Sequence, residues 1–438
     1  MENELLQQAQ QAVEQAQKAG ANDAIARVRD ENSTEYTYRD GNIEQVQQSA
    51  SRGLSVQLYV NGRYSTHQTT DLRAESIARF VQDAVALTQH LAEDPFRVIP
   101  DASLYENRPD VNLQPDDPAI RDIPREACLD WLKKIDAITH TDDRVVSASS
   151  DVYYGWHTSA RVSSNGFSGI QTGTSIGYGA SVTLSEGEHG RPEASRYVRA
   201  RHLSDLPDSE TVAREGLDRA IARLGSEKVQ SARATMVVDP EAGGRLLGSI
   251  WSALQARSIQ QNRSFLADKK DTLVANSLLS VTDDPLIVRG LGSRLYDGEG
   301  ISAKAMPIID QGVLQTYYAD TYYGRKLDWQ PTTGSSSNLV FALGDKDLNG
   351  LTSDVTNGFH VTSWLGGNAD STTGDFSFGF RGFHIVNGEK QGPVSEMNVT
   401  GNYLDLLQNL VAVGNDPTPY SSMKTPTLVF DNVEFSGK

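Results

Sequence analysis

Turn-forming dipeptides recur along this chain between runs in which apolar and polar residues alternate. Alternation with a period of two is typical of half-buried β-strands, and a two-residue turn that tolerates positive φ joins such strands as an antiparallel hairpin. Helical segments flank groups of these runs and do not alternate with single strands, so the pattern predicts an α+β fold. The dipeptides are Asp40-Gly41, Asn61-Gly62, Asn165-Gly166, Gln311-Gly312, Gly366-Gly367 and Asn387-Gly388.

The length of 438 residues exceeds what a single hydrophobic core usually organises, so several domains are expected. Apolar residues at helical spacing predict helices over 4–19, 74–92, 209–224, 240–257 and 402–413, and one that starts at Pro124. We expect an N-terminal α+β domain of antiparallel sheets and flanking helices over 1–93, followed by a linker over 94–118. A middle α+β domain over 119–229 should pack with the first domain. The C-terminal domain, 230–438, should be mostly antiparallel and barrel- or sandwich-like, with a few helices.

Charge and cysteine content narrow the possible partners and compartment. The formal net charge is -17, which would repel nucleic acid and anionic membranes unless basic residues were concentrated in a stripe. Lys and Arg are scattered, and their densest cluster, 191–201, is short, so neither partner is expected. The single Cys128 cannot form a disulfide within the chain, and neither a signal peptide nor a membrane-spanning run is recognisable. A cytoplasmic location is expected.

The best-marked place for chemistry is the stretch DPEAGGRLLGSIWSALQARSIQ, residues 239–260, which follows the apolar run ATMVV. Asp239 suits an N-cap, Pro240 the first helical turn, and Glu241 the positive end of the helix. The helix that follows carries no His, no Cys and no carboxylate after Glu241. A strand-to-helix junction is therefore predicted without an evident catalytic group.

Small residues recur at every fourth position of this helix. They form a smooth face, which indicates either close packing against a neighbouring element or the wall of a cleft for a ligand or extended peptide. Glycine inside a helix costs about 1 kcal/mol relative to alanine, so some compensating contact is expected. The residues are Gly244, Gly248, Ser252 and Ala256.

Other catalytic patterns are weak. No two histidines are closer than 13 residues, so no helical pair can bind zinc, although His360 and His384 could meet near Asp375. The match GTSIG (173–177) to a serine-nucleophile motif lies in a strand-like run and is rejected, because that motif requires a strand–turn–helix elbow.

Polar residues in the aromatic C-terminal region form a further candidate site. Asp375, Phe376, Ser377 and Glu396 belong to a glycine-punctuated stretch of short strands. They indicate either ordinary turn and surface chemistry or a groove that binds an extended peptide through main-chain hydrogen bonds.

The same C-terminal stretch resembles a known family. TGDFSFGFRGFHIVNGEKQGPVSEMNVTGN (373–402), followed by a short helix and VGND, is similar to the C-terminal signature of the TldD/PmbA family. Residues 40–72 resemble the first domain of that family, and RVSSNGFSGIQTGTSIGYGASV (161–182) resembles the second.

The resemblance implies a subunit of a cytosolic, heteromeric zinc metallopeptidase, in a family formerly described as modulators of DNA gyrase. One subunit type carries an HExxxH zinc motif and a later cysteine ligand; the PmbA- or TldE-like type lacks them. The motif would fall on Gly248, Ser249 and Ala253, and no cysteine stands between Val413 and Pro426. The resemblance therefore implies a non-catalytic chain without a metal of its own, a TldD-like zinc-bearing partner, and unfolded peptide as substrate; a homodimer is possible for the isolated chain.

Two alternatives remain open at the level of sequence. The chain could act alone as a homo-oligomeric peptide-binding or scaffold protein. It could also be a hydrolase that uses unrelated residues, such as His360, His384 and Asp375.

Overall fold

A computed structural model describes residues 2–438. The main elements up to residue 221 are five α-helices and six strands, apart from short 3-10 turns. In chain order they are α1 (Glu2–Lys18), β1 (Asp23–Arg39), β2 (Asn42–Val60), β3 (Arg63–Thr69), α2 (Ala74–Thr88), α3 (Pro118–Arg121), α4 (Arg125–Thr139), β4 (Val145–Ser163), β5 (Ser168–Leu184), β6 (Glu193–Ala200) and α5 (Ser209–Ile221).

These six strands form one antiparallel sheet in the order β3-β2-β1-β4-β5-β6. Strand β1 pairs with β2 on one side and with β4 on the other, where Arg27 lies opposite Arg161. Segments 1–93 and 119–229 thus share hydrogen-bonded β-structure, and the boundaries between domains stay a prediction.

The helices cover only one face of this sheet. Strand residues of even number are largely apolar there: Val28, Val56 and Ala160 pack with α1 and α2, while Val152 and Val198 pack with α4 and α5. Because successive strand residues point to opposite faces, the odd-numbered residues lie on the other face, which no helix covers.

From residue 232 onward, eleven strands and five short helices follow. In chain order they are β7 (Ala232–Val238), α6 (Pro240–Ala253), α7 (Ala256–Gln260), β8 (Val281–Asp283), β9 (Met306–Asp310), β10 (Val313–Leu314), α8 (Thr321–Lys326), β11 (Leu339–Phe341), α9 (Leu348–Ser353), β12 (Asn357–Ala369), β13 (Asp375–Val386), β14 (Glu389–Asn402), α10 (Tyr403–Gln408), β15 (Leu410–Val413), β16 (Met423–Lys424) and β17 (Leu428–Ser436).

The larger C-terminal sheet closes on itself. Its order is β14-β13-β12-β7-β17-β15, and an additional pairing of β14 with β17 completes a ring of five strands, with β15 paired outside it. Aromatic rings fill the interior: the Phe435 ring lies 4.5 Å from that of Phe359 and 5.4 Å from that of Phe380. A second sheet, β10-β9-β8-β11-β16, adjoins the ring. The expected α+β class with a barrel-like C-terminal region is confirmed.

Two local expectations are wrong. Gly366 and Gly367 do not form a hairpin turn; they lie inside β12, at an irregularity where the strand pairs with Gly379 and Phe378 of β13. The helix predicted to reach Val413 ends at Gln408, because the β-branched residues that follow pair with β17 as strand β15. Nowhere in residues 2–438 does the structure contain a helix with the length and apolar character needed to span a membrane.

Candidate functional site

The junction between β7 and α6 is built as the sequence predicts. The Asp239 side chain accepts a hydrogen bond of 2.9 Å from the Glu241 N–H, and Pro240 occupies the first helical turn. The Asp239 N–H donates to the carbonyl of Val361 on the parallel neighbour β12. Strand pairing and an N-cap together fix the start of α6 at the edge of the ring.

The apolar side of α6 is the predicted core face. Leu246, Ile250 and Leu254 are buried, and the Tyr403 hydroxyl donates to the Leu246 carbonyl at 2.7 Å. The helix ends at Ala253, earlier than expected, because the chain turns at Leu254 and Gln255 before α7 begins.

The small residues of α6 do not form one closely packed row. A Cβ added at Gly248 would meet nothing within 4 Å, and one at Gly244 would meet only the Met423 sulfur, at 3.9 Å. Ser252 is exposed, whereas Ala256 is buried beyond the end of the helix. Close packing occurs one position away, at Gly243, where an added Cβ would lie 2.7 Å from Thr425 Cγ2. The outer face at Gly244, Gly248 and Ser252 is therefore open.

The three positions at which the HExxxH zinc motif would fall, 248, 249 and 253, lie in different surroundings. Gly248 faces open space, and Ser249 lies near the hydroxyl of Tyr403, whose pKa burial raises to about 12. Ala253 is fully buried, and its carbonyl accepts from Ser264 Oγ at 2.6 Å. Zinc requires imidazole, thiolate or carboxylate ligands, so these residues do not fit the metal. In the described part of the chain no three His, Cys, Asp or Glu side chains are grouped as a metal site.

The histidines considered as an alternative site do not converge. His360 lies opposite Phe383 in the β12–β13 pairing, whereas His384 lies opposite Phe359, so the two imidazoles point to opposite faces. His384 contacts Asn357 Oδ1 at 3.1 Å, and Asp375 stands at the far end of β13.

His360 instead contacts the N-cap of α6. Its Nε2 lies 3.5 Å from Asp239 Oδ2, and its side chain is only 3% exposed. Burial lowers the pKa of His360, and Asp239 opposes this effect. Burial tends to raise the pKa of Asp239, but contacts with His360 and the Glu241 N–H outweigh it, so that pKa is lowered. The structure thus places a neutral imidazole beside an ionised carboxylate.

A cleft of roughly 350 Å³ opens at the N-terminal end of α6. Its walls include Arg219, Arg223 and Trp364. The Arg219 guanidinium donates to Glu241 at 2.8 Å, and burial lowers the pKa of Arg223 to about 10. Sequence reasoning missed this cleft because Arg219 of α5 and Arg223 just after it are distant in sequence from α6, and only tertiary packing brings them to the junction.

The polar candidates of the aromatic stretch are exposed, whereas Phe376 between them is buried, and a peptide groove at these residues stays a prediction. Phe376 is buried beside Tyr403, at 4.9 Å between ring centroids. Asp375 and Ser377 are exposed on β13, and Glu396 is exposed in a β14 bulge with a φ of 56°. Hydrogen bonds from Asn402 and Thr373 lower the pKa of Asp375. Asp375 therefore acts here in local turn structure.

Similarity to known proteins covers nearly the whole chain. Three family models match: PmbA/TldA metallopeptidase domain 1 at residues 24–88, the central domain at 118–224 and the C-terminal domain at 231–437. Metalloprotease PmbA of Escherichia coli O157:H7 is 26% identical, over 91% of this chain and 89% of its own length.

Two crystal structures share the fold. A candidate modulator of DNA gyrase from Bacteroides thetaiotaomicron VPI-5482 superposes with a TM-score of 0.95 and 38% identity, covering 99% of this chain and 98% of the other. TldE from Thermococcus kodakarensis superposes with a TM-score of 0.85 at 17% identity, covering 98% of this chain and 100% of the other, which shows the likeness of fold. The chain belongs to the PmbA/TldD metallopeptidase family.

Proposed function

We propose that this chain is a non-catalytic, PmbA/TldE-like subunit of a heteromeric zinc metallopeptidase that cleaves unfolded peptides in the cytoplasm. One observation carries the proposal: the strand-to-helix scaffold of β7 and α6 is intact, but Gly248, Ser249 and Ala253 stand where the zinc motif would supply its ligands and its general base.

The open outer face of α6 supports a role in the shared cleft. An ancestral imidazole at position 248 would project into the space that Gly248 now leaves free of neighbours within 4 Å. A wall of small, neutral residues lets an extended peptide backbone approach closely. The metal and its bound water belong, in this proposal, to a TldD-like partner that carries HExxxH.

Co-expression with a TldD-like homologue from the same genome tests the proposal. We expect the two chains to co-purify, zinc to be present in the partner alone, and the pair to cleave an unstructured peptide faster than the zinc-bearing chain does. If the pair cleaves no better than that chain by itself, the proposed role is wrong.

A matched pair of substitutions tests the location of the cleft. Gly248→Trp fills the open face of α6 and should reduce cleavage by the pair, because the indole would occupy the path of the peptide. Gly392→Trp is the control, since an added Cβ there also meets nothing within 4 Å, but Gly392 belongs to β14 and does not line the cleft at the N-terminal end of α6. Equal activity of both variants would exclude the outer face of α6 from the peptide path.

A further inference from the structure

Five arginines gather on the sheet face that no helix covers. They are Arg27 and Arg29 of β1, Arg161 of β4, and Arg199 and Arg201 at the end of β6; we call this surface the arginine face. Pairing puts Arg27 opposite Arg161 and Arg199 opposite Gly177 of β5, and all five have odd numbers in strands whose even-numbered residues pack on the helices. These basic residues are scattered along the sequence, but folding brings them together on one face of the sheet.

Most of these guanidinium groups have no carboxylate partner. Within residues 2–438, no ion pair involves Arg27, Arg161, Arg199 or Arg201. By contrast, Arg196 of β6 forms ion pairs with Glu215, at 2.6 Å, and with Glu241. Arg29 pairs with Glu31 at 2.6 Å, and both side chains are about half exposed. Like charges directly opposite each other destabilise a sheet, so an anion bound between Arg27 and Arg161 would stabilise this pair.

Arg161 shows this need most clearly, because it is only 6% exposed. Its Nη2 donates to the Glu299 carbonyl at 3.1 Å, while its Nε has no hydrogen-bond partner in the described chain. A buried guanidinium that makes no ion pair is costly to maintain, and the carboxylates of Glu299 and Asp297 offset its charge only from beyond ion-pair distance. Its side chain lines a cleft of roughly 660 Å³, together with Arg27 and Arg29, so an anion in that cleft could reach it.

A second cleft continues from the first. It has a volume of roughly 430 Å³ and is lined by Arg29, which the two clefts share, and by Arg199 and Arg201. Gly173 on β5 leaves room for this arrangement, because a Cβ there would lie 2.7 Å from Arg201 Nη1. His157, on the same face, has a pKa lowered to about 4, first by burial and then by Arg29, Arg201 and Arg27. Both clefts are therefore electropositive.

We propose that the arginine face binds the carboxylate side chains of an acidic, extended peptide segment. The inference rests on the proposed function, because it names the class of unfolded substrate that this subunit would hold. From β1 to β6 the face crosses three strand spacings, roughly 14 Å, which is about four residues of extended chain. Carboxylates fit the planar guanidinium fork. Glu31 and the net charge of -17 disfavour a polyphosphate backbone over a peptide with separated carboxylates.

Peptide titration of the isolated, full-length chain tests this proposal. The probe is a fluorescent Gly/Ser peptide with alternating glutamates, and its counterpart carries glutamine at the same positions. We expect the glutamate peptide to bind about tenfold or more tightly than the glutamine peptide, the worth of one charge-assisted hydrogen bond. Binding should weaken as salt is added. Equal affinity for the two peptides, or tighter binding of a single-stranded oligonucleotide of the same length, would overturn the proposal.

Variants locate the binding to the arginine face. The double variant Arg29→Ala/Arg199→Ala changes two exposed side chains and should lose the preference for glutamate, as should Arg161→Met. Without peptide, Arg161→Met should raise Tm, because it removes an unpaired buried charge. Arg79→Ala, on the exposed side of α2, is the control and matches the charge change of Arg161→Met. An equal loss in the control would place binding elsewhere.

Failure of this inference and failure of the proposed function are distinguishable. The titration needs neither the zinc-bearing partner nor cleavage. A pair that fails to cleave would leave the glutamate preference intact and overturn only the proposed function, whereas loss of that preference in an active pair would overturn only this inference.

Discussion

Gly243 and Gly248 lie on the same helix, yet their surroundings are opposite. A methyl group at Gly243 would meet Thr425 Cγ2 at 2.7 Å and Thr425 Cβ at 3.0 Å, whereas one at Gly248 would meet nothing within 4 Å. Packing therefore requires the first glycine. Since the second costs helix stability without any contact that demands it, its retention is consistent with a need for free space beside α6.

Alanine substitutions at these two glycines should change stability in opposite directions. Gly248→Ala should raise the free energy of unfolding by about 1 kcal/mol, the difference in helix propensity. Gly243→Ala should lower it by about 1–2 kcal/mol, because the clash with Thr425 exceeds the same gain in propensity. Urea denaturation followed by circular dichroism measures both. A loss of stability in Gly248→Ala would show that Gly248 is packed, and a gain in Gly243→Ala would contradict the clash with Thr425.

At the scale of elements, the sequence predicts helix starts and hairpin turns correctly, because interactions between neighbouring residues determine them. Asp239 and Pro240 mark the start of α6 correctly, since capping and φ restriction act within one turn. Five of the six turn dipeptides lie in turns between paired strands. The errors at Gly366-Gly367 and at the end of α10 arise because pairing with distant strands overrides the local pattern.

The arginine face could not be read from the sequence for the same reason. Arg27 and Arg161 are opposite one another only because of the register between β1 and β4, and no local pattern fixes that register. One signal was available: Gly169, Gly173, Gly177 and Gly179 all have odd numbers within β5, which indicates a strand with one smooth face.

The pKa of His157 predicts a measurable pH dependence of stability. Its folded-state pKa of about 4 lies below the ordinary value of 6.5, so the unfolded chain takes up the proton first as the pH falls. Above pH 6.5 His157 is neutral in both the folded and the unfolded chain, and the folded state has its full stability. As the pH falls from 6.5 to 4, proton uptake by the unfolded chain progressively lowers the free energy of unfolding. After allowance for partial solvent screening, we expect a loss of about 2 kcal/mol.

The variant His157→Gln should lose less stability than the unsubstituted protein over this window, since glutamine has no proton to gain. Unfolding free energies of both proteins at pH 7 and at intermediate acidic pH give the difference. The variant His90→Gln, at an exposed position after α2, serves as the control and should follow the unsubstituted protein. Parallel curves for all three proteins would contradict the lowered pKa.

At the scale of the whole molecule, a loop of the C-terminal region docks against the six-stranded N-terminal sheet. Residues 287–301 lie against the uncovered face of the six-stranded sheet, where Arg201 donates to the carbonyls of Gly290 and Leu291 and Gln171 donates to that of Tyr296. The same loop borders both arginine-lined clefts, through Gly298 in one and Leu291 in the other. The docked loop therefore contributes one wall residue to each cleft.

Tyr296 is the apolar anchor of this docking. It is 3% exposed, its ring lies 4.9 Å from that of Phe167, and the Arg108 guanidinium stacks over it at 4.9 Å. Tyr296→Ala should cost about 3–5 kcal/mol, as for other large buried aromatic residues. Hydrogen exchange should rise in residues 161–171 and 287–301 while the ring of five strands stays protected, because those strands do not depend on the anchor.

Tyr197→Ala is the control. It removes an aromatic side chain of the same size that is 49% exposed on the same sheet, and it should change stability little. If both variants lost the same stability, the packing of Tyr296 against the sheet would not be what holds the two regions together, and the bonds from Arg201 to the carbonyls of Gly290 and Leu291 would be left to do so.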